Sequence, residues 1–363
     1  MTERATPGTG TVAVTTAPSE RGWGKLLLAI AAFLFVPNIP QIAALLPIEQ
    51  TATLFVPAMA ACALVGWWAG GRAYLAIAWV AIAALLATWN GTGPNGAFSA
   101  FDNLARGWSL LLAGSFGLVC LFNPKRPLFG RALGALVITL VLATIMCLVG
   151  PVSASEASKI VSDELARRNA EWMTTFKTVI LQTKDWTTLT AKIPALAELP
   201  AETERQLAQF SSAGVTVFPA LLALQSLAGL ALAWATYHRL SRARIGAPLR
   251  PLREFRFNDQ LVWGLIVGLT FLLLPTLRSL HGAGKNLLVF FAALYAVRGF
   301  GVLSWFMAPG SLGVTLAVGI VLLMAPVLKI FAALAFMMLG VAALALGLGD
   351  TWADWRSRAR PTS

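Results

Sequence analysis

The chain has 363 residues, 57% of them hydrophobic and only 12% charged, with a net charge of +12. Soluble domains carry about 25% charged residues, and the mean hydropathy here is +0.72, so a single water-soluble globule is excluded. The apolar residues come in repeated runs of about 15–25 that are apolar on every face. That pattern excludes the alternation of barrel strands and predicts an all-α, polytopic transmembrane helical bundle of about 8–10 spans.

Residues 1–22 are rich in Thr, Pro, Gly and Ser and lack periodicity, which predicts a disordered tail. Arg21 and Lys25 precede the apolar run LLLAIAAFLF, as at the start of a signal peptide. No small-x-small cleavage site follows closely, so the segment reads as a retained first helix of an N-terminal membrane part, 23–150. It is interrupted at Pro37-Asn38-Ile39-Pro40-Gln41. The prolines remove backbone donors and free carbonyls. Two readings stand: a proline kink between bundle helices, or a broken helix whose Asn38 and Gln41 line a ligand cavity.

Residues 52–69 and 73–89 read as a helical hairpin turning at Gly70-Gly71-Arg72. Ala58, Cys62, Gly66 and Gly70 recur every fourth residue, a small-residue ladder that admits another helix backbone from within the bundle or from a partner subunit. After the turn-rich stretch 90–96, helices are expected over about 107–122 and 132–150, the second closed by Pro151. Cys62, Cys120 and Cys147 lie in apolar runs without a CxxC or Cys/His pattern, so neither a metal nor a cofactor is expected.

Residues 151–213 change character, mixing acidic and basic side chains. Ser153 and Glu156 fit a capping box, and Val161, Leu165, Trp172 and Phe176 recur at helical spacing. This predicts an amphipathic helix of about 30 residues, then a second helix that begins near Pro200 and continues into the next span. The insert reads as a lid over a cavity, a partner-docking element, or a hairpin lying on the membrane surface.

The C-terminal membrane part, 214–350, opens with a span over 214–238 that contains Pro219 and Gln225. The loop that follows carries Arg239, Arg242, Arg244, Arg250, Arg253 and Arg256 against Glu254 alone. A short arginine-rich loop between two spans is a topology determinant at anionic lipid headgroups, and not a nucleic-acid site. A span over 259–278 has Gly264 and Gly268 as a GxxxG pair, and the helix 286–308 carries Arg298 near its middle. The stretch 311–348 is about 57 Å as a single helix, too long for one crossing, with a break expected at Pro326 and Lys329. A basic tail, 351–363, ends the chain.

If loops alternate between sides, the side with the N-tail, the arginine loop and the C-tail holds sixteen Lys/Arg against six Asp/Glu. The other side is nearly neutral, with eleven against ten. The positive-inside rule then places both termini in the cytoplasm and the 151–213 insert outside. Within the spans Arg298 has no evident acidic partner. It is expected either to bind carbonyls freed at prolines or to face a ligand in a cavity shared with Asn38, Gln41, Gln225 and Tyr295.

The stretches VFPALLALQSLAGLALAWATYHRL, PLREFRFNDQLVWGLIVGL, NLLVFFAALYAVRGFGVLSWF and LGLGDTWADWR occur in this order. Over about 214–356 the chain resembles the YybS-like family of uncharacterised bacterial membrane proteins. The front half matches that family in layout. The resemblance implies a multi-pass protein of the bacterial inner membrane with unknown activity. The layout is also similar to the substrate-capture subunits of energy-coupling-factor transporters, a fold-level analogy. No nucleotide loop, metal cluster or acid–base pair is visible, so an enzyme is not expected. Two functions remain: a transport-related subunit that captures a small molecule between helices, or a membrane scaffold of a cell-envelope complex.

Overall fold

The computed structural model describes residues 22–39, 43, 46–88, 99–179, 184–192, 198–241, 245–307, 315 and 329–353. Eleven α-helices make up nearly all of the described residues, which contain no strand. They are α1 (Trp23–Phe35), α2 (Ala52–Trp68), α3 (Ala73–Thr88), α4 (Ala100–Phe122), α5 (Leu128–Val149), α6 (Ala154–Val179), α7 (Lys184–Lys192), α8 (Leu199–Leu240), α9 (Val262–Leu273), α10 (His281–Phe306) and α11 (Lys329–Ala353). Five helical stretches are long and apolar enough to cross a membrane: Ala100–Phe122, Leu128–Val149, Gly214–Leu240, Pro275–Phe306 and Ala335–Ala353. Four shorter apolar ones accompany them, over Trp23–Asn38, Ala52–Trp68, Ala73–Thr88 and Asp259–Leu273. The expected tail over 1–21, Gln41, Arg242, Arg244, Pro326 and the end of the basic tail lie outside the described residues.

Two features of the helix starts follow from local chemistry. Ser99 accepts a hydrogen bond from the Asp102 N–H at 3.0 Å and Asp102 accepts one from the Ser99 N–H at 3.4 Å, a capping box that starts α4 at Ala100 and not near 107. Pro275 ends α9 after Leu273, and a 3-10 turn over Pro275–Leu280 leads into α10.

The core forms around α2 and α8. Ala58, Met59, Cys62 and Val65 of α2 are buried, and so are Leu230, Ala233, Trp234 and Tyr237 of α8. A Cβ at Gly66 would strike the Tyr237 ring. The ladder of Ala58, Cys62 and Gly66 therefore serves internal packing, and that face is closed to a partner subunit. Gly70 stands apart: its φ of +86° reverses the chain after α2. Phe116 meets Trp234 edge-to-face at 6.1 Å, tying α4 to α8.

The second half closes on glycines. Gly268 of α9 and Gly284 of α10 face each other, so those two helices touch backbone to backbone. Gly299 of α10 lies against the Ala343 carbonyl, and Gly347 of α11 against the Tyr295 carbonyl. In lipid there is little hydrophobic drive between helices, and such close approach supplies the dispersion that holds α9, α10 and α11 together. Asn286 stitches α10 to the kink at Pro219. Its side chain accepts from the Ala220 N–H at 2.9 Å and donates to the Thr216 carbonyl at 2.7 Å, the two groups an uninterrupted helix joins directly.

Outward-facing positions such as Trp68, Phe122, Leu148, Val149 and Leu273 are large, apolar and exposed in the isolated chain. A soluble monomer does not display so much apolar surface; here lipid covers it. The bundle has two polar ends. One gathers the break after α1, the starts of α2 and α4, and α6. The other gathers the end of α4, the starts of α5 and α9, the loop after α8, the C-terminal half of α10 and the end of α11.

Candidate functional site

The end that carries α6 contains a cavity of about 360 Å³. Its walls come from the break after α1 (Asn38, Ile48, Glu49, Gln50), the first turn of α2 (Thr53), the start of α4 (Ser99, Phe101, Asp102, Ala105, Arg106) and the middle of α6 (Glu164, Arg167, Arg168). These segments converge for identifiable reasons. The irregular residues 46–50 before α2 form no helix or strand, so their backbone groups need other partners.

Arg168 provides them. Its side chain is 5% exposed, and Nη1 donates to the carbonyls of Ala43 at 3.2 Å and Leu46 at 3.1 Å. Its Nε donates to Glu164 at 2.8 Å and lies 3.7 Å from Glu49. Its guanidinium sits 5.0 Å from the centre of the Phe101 ring. From the opposite side Gln225 holds Ile48, accepting its N–H at 2.9 Å and donating to its carbonyl at 2.6 Å. Thr51 donates to the Phe33 carbonyl, closing the break onto α1. On α4, Arg106 donates to the carbonyls of Leu86 and Ala87 at the end of α3.

Glu164 takes charge-assisted bonds from two arginines of α6: Arg167 Nε at 2.9 Å, Arg167 Nη2 at 2.6 Å and Arg168 Nε at 2.8 Å. Burial alone raises its carboxyl, but the bonds from Arg167 and Arg168 outweigh that and hold it below the ordinary carboxylate range. A carboxyl depressed on folding contributes stability above its unfolded pKa of about 4.3 and loses it as pH falls through the folded value. Glu49 and Glu171 are the other carboxylates at these arginines. Acidification below about pH 4 is therefore expected to loosen α6 from the bundle. Limited proteolysis across 154–179 between neutral pH and about pH 3 measures this, and Glu164→Gln removes its contribution to the pH dependence.

The residues read from the sequence as one ligand set do not share this cavity. Asn38 lines it; its amide donates to the Leu34 carbonyl at 3.0 Å. Gln225 stands behind the wall, bonded to Ile48. Gln41 lies outside the described residues. Tyr295 and Arg298 are at the opposite end of the bundle, where Tyr295 packs edge-on against Phe257 at 5.0 Å.

Arg298 also differs from expectation in having acidic partners. It is 2% exposed, and its Nε donates to Asp350 Oδ2 at 2.9 Å, Nη2 to the Asp350 carbonyl at 3.1 Å and Nη1 to Asp259 Oδ1 at 2.6 Å. Asp350 is 1% exposed, so a buried carboxylate does exist within the bundle. The Asp259 side chain is 58% exposed and opens the network to the surface. Asp259 precedes α9 and Asp350 lies near the end of α11, so Arg298 is level with two helix ends and not with the middle of its neighbours. The Phe33 carbonyl, freed by Pro37, is met by Thr51, and the carbonyls of Ala43 and Leu46 are met by Arg168.

A third buried guanidinium belongs to Arg131, fully enclosed near the start of α5 and 4.3 Å from the centre of the Trp234 ring. Gly246, with φ +73°, passes beside it where a Cβ would collide. Arg250, Arg253 and Arg256 of the same loop are exposed, and Arg239 donates to the Ala235 carbonyl at 2.8 Å. Among the described residues no group of three or more His, Cys, Asp or Glu side chains is placed to hold a metal ion.

Sequence reasoning missed Arg168, Glu49, Asp102 and Arg106. The capping pattern Ser99-x-x-Asp102 was the available signal for the α4 wall, four residues before Arg106. Nothing local marks Arg168 as buried, since the carbonyls it meets are more than 120 residues away.

The family described as a predicted membrane protein (DUF2232) matches residues 29–344. This covers the front half as well as the stretch whose motifs resemble the YybS-like family. No curated protein and no solved structure matches the chain. With a match over most of its length and an all-helical bundle with membrane-spanning helices, the chain belongs to this family of predicted membrane proteins of unknown function.

Proposed function

We propose that the chain is a transport-related membrane subunit that captures a small polar molecule in the cavity beneath α6. The observation that carries this reading is a cavity of about 360 Å³ walled by charged side chains from α4, α6 and the break after α1. Ligand pockets occupy about 300–1,000 Å³ and fix their ligands with a few placed polar groups. The layout similarity to substrate-capture subunits points the same way at fold level only. On this reading the charge asymmetry orients the chain in a bacterial inner membrane, with both termini cytoplasmic, the arginine loop at anionic headgroups, and the cavity facing outward.

The scaffold reading loses one of its supports, because the small-residue face of α2 is used internally. What remains for it is the outer surface of α6.

The test is a thermal-shift screen of the full-length protein in lipid nanodiscs against compact amines, amino acids, carboxylates and sugars. A ligand of this cavity is expected to lose about tenfold or more in affinity in Asn38→Leu. It keeps its affinity in Asp259→Asn, at the other end of the bundle. If no compound in any class stabilises the protein, the capture reading falls.

A further inference from the structure

Arginines and carboxylates meet at the cavity in equal number, but their bonding states differ. Each arginine already donates within the protein. Arg167 is bonded to Glu164 and Glu171, Arg168 to Glu164 and to the carbonyls of Ala43 and Leu46, and Arg106 to the carbonyls of Leu86 and Ala87. Among the carboxylates, Glu164 is saturated in the same way, with both oxygens engaged.

Glu49 and Asp102 are not. Glu49 has one ion-pair contact, to Arg168 Nε, at 3.7 Å, beyond hydrogen-bond length. Asp102 accepts one long bond, from the Ser99 N–H at 3.4 Å, through Oδ2. Asn38 has its amide donor engaged on the Leu34 carbonyl, which leaves its side-chain oxygen as an acceptor. Gln50 and Ser99 add neutral groups that can donate or accept, so the charged capacity that remains uncommitted on the carboxylate side of the wall belongs to Glu49 and Asp102.

We infer that the ligand is a compact organic cation, a primary amine or a guanidinium, held between the carboxylates of Glu49 and Asp102. The inference rests on the capture reading above and gives it a ligand class. A primary ammonium brings three donors and no acceptor, which complements the Glu49 and Asp102 carboxylates and the Asn38 oxygen. Charge-assisted bonds of this kind are short and about twice as strong as neutral ones. An anion meets the opposite situation. The positive charge of Arg167 and Arg168 is already offset by Glu164, and Arg106 is bonded to the carbonyls at the end of α3, so an anion finds less uncompensated charge than a cation does. Phe101, whose ring already faces the Arg168 guanidinium, provides the apolar wall against which an alkyl stem packs.

The geometry also ties ligand to lid. An amine on Glu49 competes only with the loose contact to Arg168 and leaves the bonds to Glu164, Ala43 and Leu46 in place. Binding therefore leaves α6 seated through those remaining bonds.

The test uses the full-length protein in phosphatidylcholine nanodiscs near neutral pH. Calorimetric titration is run with putrescine and agmatine as cations, succinate and inorganic phosphate as anions, and ribose as a neutral molecule. Saturable binding of the cations is expected, reduced about tenfold or more in Glu49→Gln and, independently, in Asp102→Asn. Both variants preserve side-chain size, and Asn keeps an acceptor for the α4 cap, so each is read against its own ligand-free unfolding midpoint. Binding of succinate, phosphate or ribose without the amines overturns the cation inference and leaves the capture reading standing. Cation binding unchanged in both variants overturns the assignment to Glu49 and Asp102. If no probe of any class binds, neither the inference nor the capture reading survives.

Discussion

Asp350→Ala is expected to destabilise the protein by about 3–5 kcal/mol, because it leaves the Arg298 guanidinium buried without its buried carboxylate partner. Arg298 is bonded to Asp350 through both the side chain and the carbonyl, and the remaining partner, Asp259, is largely exposed. An exposed carboxylate in water contributes about 0–1 kcal/mol, so Asp259→Asn is expected to have a small effect. The double variant Arg298→Met/Asp350→Leu removes both charges together and is expected to recover most of the loss, since an apolar pair of similar volume avoids the desolvation cost. Unfolding of the purified variants in detergent, followed by helical circular dichroism, reads all three. If the double variant is as unstable as Asp350→Ala, coupling between the two charges is not the source of the effect.

The outcome for Arg298 shows what the sequence could carry. That a charge lay in the stretch 286–305 was plain, as was its need for partners. Its partners were hidden because they lie 39 and 52 residues away, at positions that read as span ends. Asp350 looked like the start of the basic tail, yet α11 continues to Ala353 and carries it inside. Helical spans, by contrast, were largely legible, although α4 starts seven residues earlier than expected and the span 259–278 breaks at Pro275. Hydrophobic length and backbone satisfaction in lipid are local constraints, and they act on each segment by itself. The packing role of Gly66 and Gly268 was half legible: small residues announced a close approach, but not which helix approaches.

The cavity was the least legible part, for a related reason. Pro37 and Pro40 marked a break and freed carbonyls, and Asn38 was read as lining it. What fills the break comes from the insert, through Arg168, in a segment whose mixed charge reads equally as a solvated surface. Glu164, Arg167, Arg168 and Glu171 have the spacing of an exposed helix stabilised by i,i+3 and i,i+4 pairs. Only the tertiary contact distinguishes Arg168, which is buried, from Arg167, whose side chain is half exposed. The Ser99–Asp102 cap was readable in principle, and recognising it would have placed Asp102 and Arg106 inside α4 at the same end as the break.

Arg168→Met is accordingly the variant that separates a lid from a decorative surface helix. The thioether side chain keeps much of the apolar stem, so the change isolates the guanidinium. Its loss leaves the carbonyls of Ala43 and Leu46 without their donor and frees Glu164 to Arg167 alone. Bonds to a charged donor are worth about 1.5–3 kcal/mol, so about 3 kcal/mol of local attachment is expected to disappear. By the tenfold-per-1.4 kcal/mol relation that is about a 100-fold rise in hydrogen exchange over 154–179. Exchange in α2 and α8 is expected to change little, because those helices keep their own core. Arg167→Gln, which removes the half-exposed partner, is expected to shift the same segment by less than about 1 kcal/mol. If Arg168→Met instead lowers protection uniformly across α2, α6 and α8, then the arginine holds up the whole bundle. In that case α6 cannot open over the cavity without unfolding the protein, and a ligand has to enter by another path.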